Sequence, residues 1–141
     1  MPLARNIANA VERFPKVIHP RTHAALDYFT AAAFFIAAGL FWGGNRRAAA
    51  SALINGKMVL GMSLLTDYDG DGRRPISFPT HGKLDVVQAG LAATLPMILG
   101  FSREPGSLFF RMQSVNELMV VALTDWESKT RRLKVVKSGV A

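Results

Sequence analysis

Cysteine is absent from the 141 residues. That excludes a disulfide framework, a thiolate metal site and a thiol nucleophile. Charge is scarce too: Asp, Glu, Lys and Arg make up 19% of the chain, against about 25% in a typical soluble domain. Acids are the rarer sign, ten against seventeen Lys and Arg, which leaves a net charge of +7. No Gly-rich phosphate loop, nucleophile elbow or metalloprotease helix is present, so the common enzyme classes that depend on them have no foothold. The N-terminus is polar and charged before any apolar run begins, which does not read as a cleavable signal peptide.

What the chain has in quantity is apolar surface. Half of its residues are hydrophobic, and they gather into four segments: Ala24 to Gly44, Ala48 to Thr66, Leu84 to Phe101 and Leu108 to Thr124. Each approaches the roughly 20 residues that cross a hydrocarbon core as a helix. Phe29 to Trp42 and Val86 to Phe101 carry no charged side chain, which a water-soluble bundle does not easily explain. The first and third segments read as plain spans, the third with Pro96 inside it as a kink. The second, with Asn55 and Lys57, and the fourth, with Arg111, Gln113, Asn116 and Glu117, read as amphipathic. Their polar faces call for protein rather than lipid.

The basic residues flank these segments unevenly. Arg5, Arg13, Lys16 and Arg21, then Arg73, Arg74 and Lys83, then Lys129, Arg131, Arg132, Lys134 and Lys137 fall on one side of a four-span arrangement. Only Arg46, Arg47, Arg103 and Arg111 fall on the other. The positive-inside rule then puts both termini and the central loop in the cytoplasm of a bacterial inner membrane. Basic residues at the edges of apolar runs suit anionic lipid headgroups and not nucleic acid. Leu3, Ile7, Val11 and Phe14 recur at helical spacing and predict a short amphipathic surface helix before the first span.

The chain also repeats itself. Thr22-His23-Ala24-Ala25-Leu26-Asp27 returns as Thr80-His81-Gly82-Lys83-Leu84-Asp85, and Leu65-Thr66-Asp67-Tyr68 returns as Leu123-Thr124-Asp125-Trp126. Both motifs share one offset, 80 − 22 = 58 and 123 − 65 = 58, the mark of a tandem duplication. The expected fold is all-α: an integral membrane four-helix bundle made of two tandem helical hairpins, with an N-terminal amphipathic helix. Its parts are 1–17 (surface helix), 18–72 and 73–128 (the two hairpin repeats) and 129–141 (a basic tail).

His23 and Asp27, like His81 and Asp85, are four apart and share a helix face. Thr22 and Thr80 are placed to cap the two helix starts. Thr66, Asp67, Thr124 and Asp125 close the second and fourth helices, so antiparallel hairpins should gather all of these in one polar layer at the cytoplasmic ends. Three readings of that layer stay open. Asp can fix the His ring and tie the helix ends together as a structural stitch. His23 and His81 can ligate a metal or haem. The same groups can relay protons or ions. Lys57 and Glu117, near mid-membrane on the polar-faced helices, are expected to pair across the bundle or face a hydrated cavity. Asp67-Tyr68-Asp69-Gly70-Asp71-Gly72 has the opening of a calcium loop, but Phe78 holds the position where a bidentate Glu belongs, so a plain turn is favoured.

The repeated Thr-His-x-x-x-Asp start, the Leu-Thr-Asp-Tyr end and Leu95-Pro96-Met97-Ile98-Leu99-Gly100-Phe101 resemble small bacterial membrane proteins related to the SPW-repeat family. The resemblance spans Ile18 to Trp126, although the Ser-Pro-Trp signature is absent and only Pro96 of it remains. It implies a four-helix membrane fold and brings no activity with it. The function expected is non-catalytic: an accessory or structural subunit of a larger membrane complex, or a self-associating scaffold, for which Ala31 to Ala33, Ala48 to Ala52, Gly56 and Gly61 offer small-residue packing faces. The alternatives are a His-ligated cofactor protein and a small ion-coupled transporter.

Overall fold

The computed structural model describes residues 5–6, 9–10, 12–128 and 139. Four helices carry the fold: α1 (Pro20–Phe41), α2 (Arg46–Leu65), α3 (Phe78–Ile98) and α4 (Ser107–Leu123). They pack as two hairpins, α1 on α2 and α3 on α4, joined mainly through α2 and α3. Of the expected N-terminal helix, residues 5, 6, 9, 10 and 12 are helical and exposed. Leu3, Ile7 and Val11, which its amphipathic pattern needs, lie outside the described residues, as does the tail 129–141 apart from residue 139.

Helices α1 and α3 start several residues before the apolar runs do. Proline is the reason: Pro20 and Pro79 sit in the first turn, where their fixed φ suits a helix and their missing N–H costs nothing. Thr22 and Thr80 are therefore not caps. His19 holds the N-cap position of α1 without a side-chain bond, and Ser77 caps α3, its Oγ accepting from the Thr80 N–H. Asn45 caps α2 by accepting from the Ala48 N–H at 3.0 Å. Pro96 lies in the last turn of α3 and not at its middle, and the chain leaves through Gly100 at φ 74°, a left-handed conformation that glycine adopts freely.

Two short parallel pairings show how the duplication closes on itself. Strand β1 (Thr66–Asp67), at the exit of the first hairpin, pairs with β2 (Ile76–Ser77) at the start of the second. The exit of the second, Thr124, bridges back to Ile18 at the start of the first. The offset relates the two pairings, 76 − 18 = 58 and 124 − 66 = 58. Each hairpin's exit is thus hydrogen-bonded to the other's entrance, around an approximate twofold axis. At the opposite end the two tight loops meet through Glu104, which accepts from Arg47 at 2.7 Å and from Asn45.

The apolar core is built from small and aromatic side chains: Phe34, Phe101 and Phe110 among Ala31, Ala38, Ala48, Ala52 and Ala92. A Cβ on Gly56 would stand 3.2 Å from the Cβ of Phe34, so glycine is what lets α1 and α2 approach this closely. Helices α1 and α2, with windows of mean hydropathy 1.7 and 1.4, are long and apolar enough to cross a membrane. This departs from the expectation that α1 and α3 are the plain spans. Asn55 and Lys57 do not spoil α2, because the residues around them are strongly apolar, whereas α3 begins with the polar run that holds His81, Lys83 and Asp85.

Candidate metal centre

The four helix ends that carry the repeated motifs converge. His23 and Asp27 come from the first two turns of α1, His81 and Asp85 from those of α3, and Thr124 and Thr66 from the C-caps of α4 and α2. All six are buried. The contacts follow the twofold relation. His23 Nδ1 lies 2.9 Å from Thr124 Oγ1, and His81 Nδ1 lies 2.8 Å from Thr66 Oγ1. His23 Nε2 faces Asp85 at 3.1 Å and Asp27 at 3.4 Å, while His81 Nε2 faces Asp27 at 3.0 Å and Asp85 at 3.2 Å.

The threonines decide where the ring protons are. Each Thr hydroxyl has a single proton. Thr66 gives its proton to the Met62 carbonyl at 2.6 Å, and Thr124 gives its proton to the Val120 carbonyl at 2.6 Å. At the histidines the hydroxyls can then only accept, so both Nδ1 atoms carry a hydrogen, an assignment made from the network of bonds. In the neutral rings, both Nε2 lone pairs point at carboxylate oxygens. Two lone pairs facing each other repel unless something positive lies between them. The candidates are a second proton on each ring or one metal ion shared by all four side chains.

The donor set suits the ion. Among the described residues, His23, Asp27, His81 and Asp85 form one set whose ligand atoms all lie within 4.8 Å of one another. The four N···O distances are 3.0, 3.1, 3.2 and 3.4 Å, each to a different oxygen: His23 Nε2 faces Asp85 Oδ2 and Asp27 Oδ1, and His81 Nε2 faces Asp27 Oδ2 and Asp85 Oδ1, so each carboxylate spans the two rings. His81, 1% exposed, directs Nε2 between two oxygens and makes an aligned hydrogen bond to neither. The Nδ1–H to Thr bonds are the outer-sphere supports that orient a ligating imidazole. Haem does not fit: Asp27 and Asp85 occupy the space between the rings where a porphyrin would lie.

Aromatic rings wall the centre. Trp126 and Phe78 stand 4.9 and 5.4 Å from the His23 ring, and Tyr68 stands 5.5 Å from that of His81. The Tyr68 hydroxyl donates to Asp27 Oδ2 at 2.6 Å. Burial first, then the Asp27 charge, pushes the phenol well above its ordinary value and keeps it a donor. Trp126, its counterpart in the second copy, cannot do the same and donates to the Val121 carbonyl instead. The ring also explains a neighbour: a Cβ on Gly82 would come within 2.9 Å of Trp126.

Several expected members stay outside the layer. Asp67 turns both oxygens onto the central loop, accepting from the backbone N–H groups of Asp71 and Gly72. Asp125 accepts from the Glu127 N–H. Thr22 is exposed, and Thr80 is bonded to Ser77. Lys57 and Glu117 do not pair. Lys57 lies on the exposed face of α2, while Glu117 is buried in α4 with neither carboxylate oxygen hydrogen-bonded; the helical rotation that turns Val59 inward turns Lys57 out. Residue reading missed Phe78 and Gln88. Tyr68 was visible as the repeated aromatic, but nothing local marked it as a partner of Asp27, 41 residues earlier.

Comparison with family models, with curated proteins and with solved structures gives no match.

Proposed function

We propose that this chain is an integral protein of a bacterial inner membrane, with both termini cytoplasmic, whose two hairpins are stapled at their cytoplasmic ends by one divalent transition-metal ion held by His23, Asp27, His81 and Asp85. The observation that carries the reading is the fixed tautomer. With both Nδ1–H groups committed to threonines, the two Nε2 atoms converge on two carboxylates, where a neutral ring offers a lone pair to an ion and a doubly protonated ring donates, as His23 Nε2 is placed to do to Asp85 Oδ2. Imidazole and carboxylate together suit zinc and its first-row neighbours. Four protein ligands fill a four-coordinate shell, the pattern of a structural site, whereas a catalytic one keeps a position open. The role that follows is non-catalytic, that of an accessory or scaffold component of a membrane complex or of a homo-oligomer. The grouping with SPW-repeat membrane proteins belongs to the same proposal, on the repeated motifs.

What supports the membrane part is the distribution of polarity. Ser51, Asn55, Ser63, Gln88, Ser114 and Glu117 are buried along the helices. Phe29, Ile36, Leu40, Val87, Met97, Ile98, Met112 and Met119 are exposed, Phe29 and Leu40 by more than 70%. A surface this apolar around a polar interior suits lipid and not water.

Cobalt tests the centre. Added to the metal-free protein in mild detergent, it should give visible ligand-field bands that zinc abolishes, and His81→Gln should give none. No bands at saturating cobalt would leave the layer an imidazolium–carboxylate lock and sink the metal reading.

A further inference from the structure

One turn further into the bundle than the His/Asp centre lies a cavity of about 20 Å³, room for one water-sized particle. Asp27 and Asp85 form its end towards the centre, and Thr30, Gln88, Val59 and Glu117 line its sides. The offset of the duplication pairs these residues: 85 − 27, 88 − 30 and 117 − 59 all equal 58. The cavity therefore lies beside the pseudo-twofold axis, with Leu26, Asn116 and Val120 lining it from one side only. The pairing conserves the carboxylates and keeps both flanking side chains polar, then breaks at one point, where the first copy has Val59 and the second has Glu117.

Glu117 is 9% exposed, and both its carboxylate oxygens are buried without a hydrogen-bond partner. The charged groups that act on it are Asp85 and Asp27, both of its own sign. Gln88, 1% exposed, spends its amide on Asn55 Oδ1 at 2.6 Å, which leaves its Oε1 unpartnered. A buried carboxylate near two others is costly unless a proton or a cation joins it. The donors around the cavity are oxygens, the ligand set of a hard cation. Two imidazoliums or one divalent ion would each offset the two carboxylates of the His/Asp layer. The charge left for the cavity is then the single one that Glu117 carries when ionised, which a monovalent ion matches. Exposed Asn116 of α4 and half-buried Leu26 of α1 join the lining.

We propose that this axial cavity is a second cation site, distinct from the His/Asp centre, that takes one sodium ion on Glu117 and Gln88 Oε1. Because the charge balance holds with or without the metal, the site stands apart from the metal reading. Equilibrium binding of radioactive sodium to the full chain in detergent should show one saturable site per chain, and sodium chloride should raise the melting temperature above that in potassium or choline chloride at equal ionic strength. Glu117→Gln should weaken sodium binding at least tenfold while cobalt and zinc binding persist. Glu117→Val, which restores the symmetry of the first copy, should fold, keep the metal and bind no sodium. No saturable sodium on the wild-type chain would overturn the proposal, as would potassium binding as well as sodium, or sodium binding that survives Glu117→Gln. Loss of cobalt bands with sodium binding intact would overturn the metal reading alone.

Discussion

Thr66 and Thr124 set the proton positions of the His/Asp layer from just outside its four side chains. Each hydroxyl accepts from one imidazole and donates to the carbonyl four residues back. Valine has the same shape and no hydroxyl. Thr66→Val should therefore keep the packing, free the His81 ring to change tautomer, and lower metal affinity by roughly 10–100-fold, the usual effect of losing an outer-sphere partner. Competition with a chelating dye would measure it, and affinity equal to wild type would refute the tautomer argument. Gly82 makes a packing prediction at the same scale. Gly82→Ala drives a Cβ into the Trp126 ring and should cost about 1–3 kcal/mol in a denaturation series. The first copy holds Ala24 and Tyr68 at the matching positions, so adding Trp126→Tyr should recover much of that loss. Two independent, additive losses would mean that the ring is not the obstacle.

At the scale of the helices, the duplication was legible and the inside of each helix was not. The shared offset, the two hairpins and the convergence of His23, Asp27, His81, Asp85, Thr66 and Thr124 can all be read from residue identity and spacing. The failures have physical causes. Thr22 and Thr80 look like caps, but a proline in each first turn carries the helices upstream of them. Asp67 and Asp125 sit in the repeated motif, yet they lie past the last helical turn and serve local backbone N–H groups. Lys57 and Glu117 share a depth and not a face, because depth follows residue number while facing follows rotation about two axes that the sequence does not relate. The swap Lys57→Glu with Glu117→Lys should consequently fail to rescue: Lys57→Ala alone should leave the melting temperature within a degree or two of wild type, and the double swap should be as damaging as Glu117→Lys by itself. Rescue by the swap would restore the direct pair. Asn55 and Gln88, by contrast, tie α2 to α3 through a buried hydrogen bond. Gln88→Leu should cost about 0.6–2 kcal/mol, the range for polar contacts between membrane helices.

For the whole molecule, the arrangement divides labour between its two ends. Arg47, Asn45 and Glu104 close the loop end with exposed or half-buried contacts, which contribute little individually. The exits and entrances of the hairpins interlock at the other end, around the buried His/Asp layer. That end should be the last to open on denaturation in detergent, and hydrogen exchange should find its slowest amides in the first turns of α1 and α3. Washing membranes with alkaline carbonate should leave the protein in the pellet, with release only by detergent; recovery in the wash would remove the bilayer from this account. The measurement that goes most directly to the centre is elemental analysis of the purified full chain after zinc loading and exhaustive dialysis. One zinc per chain, lost together with the cobalt bands in His23→Gln and in Asp85→Asn, is the predicted result. A wild-type chain that retains no more zinc than those variants would contradict it.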